Sequence, residues 1–126
     1  MKVENIKFKA KRLDNGEWII GSFVVMKIPA LSKTTIGIVA AGGATLHEID
    51  TSTVCQFTGL KDCKGKEIFE HDLIHFVGHK PTAEVFWSEE DYAFVAASEN
   101  EPLYWLSDVL KIGKIERVCN KFDKEK

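Results

Sequence analysis

The chain has 126 residues, 44% of them hydrophobic and 29% charged, with a formal net charge of −2. Such a chain can bury roughly two-thirds of its unfolded surface as one domain, without disulfide or metal staples, and its composition excludes a disordered polymer. The charge excludes a global basic surplus that would draw it to nucleic acid or an anionic membrane, while leaving a local basic patch open.

In chain order, the apolar–polar alternation predicts short strands and little else. In a first strand, 3–10, Ile6, Phe8 and Ala10 fall on one face, with Lys7 and Lys9 on the other. Asp14-Asn15-Gly16 predicts a tight turn, because Asn and Gly tolerate positive φ. A second strand, 17–27, is rich in Trp, Ile, Val and Phe, with Gly21 read as a bulge and Pro29 as its stop. A third strand, 34–40, turns at Gly42-Gly43 into 44–49. Asp50 is placed to cap one helical turn, and 54–57 follows as a short strand. Gly65 makes a turn. Strands at 67–69 and 73–77 flank a corner at Glu70-His71-Asp72. A hairpin of 82–88 and 92–97 follows, then 103–106, one helical turn from Ser107 to Leu110, and a last strand, 112–119. A solvated tail closes the chain. The expected fold is all-β with little helix: one or two small antiparallel barrel-like subdomains, the C-terminal half resembling an SH3 barrel. We read 1–126 as a single domain, with a subdivision into 1–52 and 53–120.

Residues with chemical potential are few. His71, His75 and His79 are spaced by four. On a helix they would share a face and suit zinc, but their β-branched and aromatic neighbours predict a strand. There a spacing of four separates residues by about 13 Å, too far for one ion. His47 belongs to a different strand. Cys55, Cys63 and Cys119 lack paired zinc spacing, and an odd, sparse set points to reduced thiols in the cytoplasm. Cys55 and Cys119 read as core filler. Glu89-Glu90-Asp91 reads as a solvated hairpin tip. Phosphate-loop, dinucleotide and nucleophile-elbow patterns are absent. No cofactor is expected. No segment has the apolar length of a signal peptide core or a membrane span, so no membrane partner is expected.

The aromatic residues carry more information. Phe86 and Trp87, like Tyr104 and Trp105, must point to opposite sheet faces. They describe either a thin domain packed on both sides or an exposed surface for self-association or base stacking. Lys7, Lys9, Lys11 and Arg12 form a basic stripe that suits nucleic acid, or that protects an edge strand from aggregation.

From Thr53 to Gly78 the sequence resembles the signature of the YopX family, roughly Q-[YF]-T-G-L-x-D-x-x-G-x-x-I-[YF]-x-G-D. The matching residues are Gln56, Phe57, Thr58, Gly59, Leu60, Asp62, Gly65, Ile68, Phe69 and Asp72. Weaker likeness extends to the opening hairpin, the strand 83–87 and the closing strand. His71 stands where the family usually has Gly, and the family's usual Tyr-Glu-Asn-Pro type of ending is missing. The resemblance implies an all-β fold, a phage or prophage origin and self-association, and it supplies no catalytic residues. The signature itself reads as structural. Gly59 and Gly65 permit turns, Asp62 bonds nearby N–H groups, and Phe57, Ile68 and Phe69 feed a core.

Three functions follow as expectations. The first is a non-enzymatic β protein acting through surfaces, as a homo-oligomer or against a phage or host protein. The second is a nucleic-acid-binding small barrel using Lys7, Lys9, Lys11 and Arg12. The third is a metal-dependent enzyme built on the histidines.

Overall fold

Apolar–polar alternation makes strands along most of the chain. The computed structural model describes residues 2–78, 82–98 and 101–123, and among them are eleven strands and one short α-helix. Every strand pairing is antiparallel. The chain forms two compact units, the first ending at Gln56 and the second beginning at Phe57.

The first unit contains β1 (Phe8–Lys11), β2 (Trp18–Ile28), β3 (Lys33–Ala40) and β4 (Leu46–Glu48), in the spatial order β4-β3-β2-β1. Cys55 and Gln56, the start of β5 (Cys55–Lys61), pair with Lys9 and Phe8. The first turn forms as its residues predict. Gly16 has φ 73°, its N–H donates to the Arg12 carbonyl at 2.9 Å, and Asn15 Oδ1 accepts from the Glu17 N–H at 2.9 Å. Asp50 accepts from the Ser52 N–H and caps a single 3₁₀ turn at Thr51–Thr53, as expected. Ala10, Ile19, Ile38 and Ile49 form the core, closed by Phe8, Ile36, Ala40 and Val54.

β2 and β3 pair without interruption from Gly21↔Ala40 to Ile28↔Lys33. Their neighbours are shorter. β1 reaches only Gly21, and β4 reaches only Gly37. The last turns of this hairpin therefore run on as a two-stranded arm, closed by a 3₁₀ turn at Pro29–Leu31 and Ser32 in the left-handed region.

Three local expectations are corrected here. Gly21 is not a bulge, since its register with Phe8 and Ala40 is regular. Glycine is needed there because a Cβ would collide with the Val39 carbonyl oxygen and lie 2.8 Å from Ala40 Cα. Val3–Asn5 is a 3₁₀ turn rather than strand, and Ile6 is exposed. Lys9 does not face water: it is only 6% exposed, with its ammonium 4.5 Å from the Trp18 ring centroid.

The second unit contains the rest of β5, β6 (Glu67–Phe69), β7 (Asp72–Phe76), β8 (Ala83–Ser88), β9 (Ala93–Ser98), β10 (Glu101–Trp105), α1 (Leu106–Ile112) and β11 (Ile115–Asn120). β5 pairs with β6, and the larger sheet runs β10-β9-β8-β7-β11. Its core is Ile68, Ile74, Val85, Ala96, Leu106, Val109 and Ile115. Leu106, Val109 and Leu110 recur at helical spacing and all reach that core. Their packing holds seven residues helical where one turn was expected, and it moves Ile112 out of the last strand. Gly59, expected in a turn, lies within β5 at a register shift with φ 86°, so it serves a bulge. Among the described residues the sheets stay open, so the all-β class is built without a closed barrel.

Candidate functional site

Nine of the ten signature residues, two buried carboxylates among them, lie in the second unit, and Gln56 closes the first. Asp72, at the start of β7, is fully buried. Its Oδ2 accepts from the Phe69 N–H at 2.7 Å and from Arg117 Nε at 2.9 Å, while Oδ1 accepts from Asn120 Nδ2 at 2.8 Å. Asn120 is equally buried. Its Nδ2 also donates to the Glu70 carbonyl, its Oδ1 accepts from the Phe122 N–H, and its own N–H donates to Asp123 Oδ2. Asp62 holds the turn before β6. Its Oδ1 accepts from the N–H groups of Lys64 and Lys66, and its Oδ2 accepts from the Arg117 N–H at 2.8 Å. Burial opposes ionisation of Asp62, but those three N–H donors outweigh it and hold the carboxyl below its ordinary range. Thr58 donates to the Ile68 carbonyl and accepts from the Leu60 N–H, bracing the bulge at Gly59. Phe57 and Phe69 pack ring to ring at 5.3 Å, Leu60 and Ile68 belong to the core, and Gly65 turns at φ 84°. Gln56, half-buried, pairs in register with Phe8 of β1.

Arg117 joins the two carboxylates, through its backbone to Asp62 and its guanidinium to Asp72. Neither it nor Asn120 was singled out from the sequence, since both partners lie 45 or more residues away. An Asn closing the last strand was the one available hint. Among the described residues, no buried side-chain nitrogen or oxygen lacks a hydrogen-bond partner. The arrangement is a locked scaffold, with acceptors turned toward the protein's own donors.

The histidines separate. His71 Nδ1 lies 2.8 Å from Glu84 Oε2, and its ring meets the edge of Phe122. His75 Nε2 lies 3.2 Å from Glu116 Oε1, whose other oxygen pairs with Lys64 at 2.9 Å. His47 is on β4 in the first unit; His79, with Pro81 and the end of the tail, lies outside the described residues. Among the described residues, no three histidine, cysteine or carboxylate side chains are grouped to hold a metal ion.

The basic stripe is also divided. Lys9 is buried, and Lys9 and Lys11 both lie over Trp18. Arg12 forks onto both oxygens of Asp14 at 3.0 and 2.7 Å. Lys7 and Lys11 are half-buried. Beside Asp14, an open groove of about 310 Å³ is lined by Leu13, Asp14, Leu46, His47 and Glu48, a shallow and acidic hollow.

Apolar side chains also reach the surface in both units. In the second unit Tyr92 is 77% exposed, and Tyr104, Trp105, Trp87 and Val118 are exposed too, Trp87 resting edge-on against Phe94. In the first unit the exposed apolar residues include Ile20, Phe23, Val25, Met26 and Leu31, all on β2 and the turn that follows. No helix among the described residues is long and apolar enough to cross a membrane.

These features define an all-β protein in which the described polar signature side chains bond to the protein's own groups. The family model described as YopX protein matches residues 7–123, and the chain belongs to that family. No curated protein and no solved structure matches the chain.

Proposed function

We propose that this chain is a non-enzymatic, cytoplasmic β protein of phage or prophage origin that acts by associating with itself and by docking other proteins. The carrying observation is the contrast between its two kinds of surface. The polar signature is turned inward on Asp62, Asp72, Arg117 and Asn120, while Phe23, Val25, Met26, Tyr104 and Trp105 stand in water. Exposed apolar residues scattered singly are ordinary, but groups of them on one strand mark interaction surfaces. Light scattering on a gel-filtration eluate tests this. The expected mass exceeds 14.2 kDa at micromolar concentration, and a single species at the chain mass contradicts it.

The competing reading is nucleic-acid binding through β1, and Trp18 flanked by Lys9 and Lys11 is the observation that favours it. Burial of Lys9 and pairing of Arg12 with Asp14 weigh against it. A mobility shift on single- or double-stranded DNA or RNA that fades with salt would support it, and no shift at low salt removes it.

A further inference from the structure

The free edge of β2 has the chemistry of one half of a symmetric interface. β1 covers β2 only as far as its Phe8↔Gly21 pair, so Ser22–Ile28 has β3 on one side and no strand on the other among the described residues. A bare edge exposes a row of backbone N–H and C=O groups, and another strand is the partner that satisfies them in order. Native edges are usually blunted by proline, bulges or charges. This one is regular, has no proline, and carries one charge, Lys27. It is apolar on both faces: Phe23 is 38%, Val25 49% and Met26 45% exposed. A two-stranded ribbon with such faces is marginal in water. We propose that Ser22–Ile28 of β2 pairs antiparallel with the same segment of a second copy, about a twofold axis at Val25. The proposal rests on the self-association reading and assigns it a surface.

The sequence of the segment favours a second copy over an unrelated strand. Seven residues centred on Val25 place Val25 opposite itself, Val24 opposite Met26, Phe23 opposite Lys27 and Ser22 opposite Ile28. Every central pair is apolar. The lone ammonium falls beside an aromatic ring rather than beside its own copy, which removes like-charge repulsion and allows a cation–ring contact. The same patch meets itself, as a twofold interface requires. Phe23 is already braced by Phe8, the last β1 residue paired along this same edge, with ring centroids 5.5 Å apart, so it enters the contact with part of its freedom already lost.

Two variants of the full chain test this. Val25→Cys, made in a Cys63→Ser background to remove the exposed native thiol, should oxidise to a disulfide-linked dimer at the axis. Val118→Cys, exposed in the second unit, should not in the same background. Val25→Lys sets two ammoniums face to face at an exposed position, so it should keep the wild-type far-ultraviolet circular-dichroism spectrum and weaken association by about tenfold or more. A wild-type monomer at all concentrations overturns both the association reading and this surface. A wild-type oligomer that Val25→Lys leaves intact, with no Val25→Cys dimer, overturns the surface alone. A Val25→Cys thiol that links to a different polypeptide when oxidised in cells overturns the choice of a second copy.

Discussion

Asp62 directs both carboxylate oxygens at backbone N–H groups, and its stabilising effect follows the charge on those oxygens. Its folded carboxyl titrates below the ordinary value. The contribution is therefore complete above about pH 4 and is lost as pH falls through the lower folded value. In Asp62→Asn, one accepting oxygen becomes a donor. We expect a loss of about 1–3 kcal/mol at neutral pH and a flatter decline of stability in acid, read by urea unfolding across pH. Wild-type stability at pH 7 would contradict the assignment. Asp72→Ala strands the Arg117 guanidinium and Asn120 amide, and should cost about 3–5 kcal/mol, much of a typical domain's stability. At His71, φ is 71°, a conformation glycine adopts freely. His71→Ala and His71→Gly both lose the Glu84 contact, so their difference reads the backbone: Gly should be the more stable by about 1 kcal/mol in thermal unfolding. At this scale the sequence was half legible. Asp62 was readable because its nearest donors lie two and four residues on. Arg117, Asn120 and Glu84 were not, because the fold brings them in from distant strands.

Strands were the most legible elements, since a period of two survives in any half-buried sheet. β6 falls on Glu67–Phe69 as read, and most others shift by one or two residues. Misreadings came where packing overrode local pattern. Lys9 alternates as a solvent residue, yet Trp18 covers it. Gly21 looked like an irregularity, whereas it relieves a backbone contact with Val39 and Ala40. Gly21→Ala should therefore strain the β2–β3 pairing at a cost of about 1–3 kcal/mol, seen as a lower thermal midpoint. An unchanged midpoint would show that the close approach relaxes freely. The projecting part of β2 was invisible in sequence, because the lengths of β1 and β4, and not the composition of β2, leave its edge bare.

For the molecule, the all-β class and family membership were both readable, the first from alternation and the second from ten residues between Gln56 and Asp72. Those residues turn out to hold β5, β6, β7 and β11 together within the second unit, which explains why a strong signature carries so little reactive chemistry. The proposed function accordingly rests on surfaces, which a linear pattern cannot locate. Apolar pairing, unlike charge pairing, survives added salt. The most direct test is sedimentation velocity of the wild-type chain over a range of protein concentrations at low and high salt. The account predicts assemblies heavier than 14.2 kDa, growing with concentration and persisting in salt. One species of the chain mass throughout would contradict it.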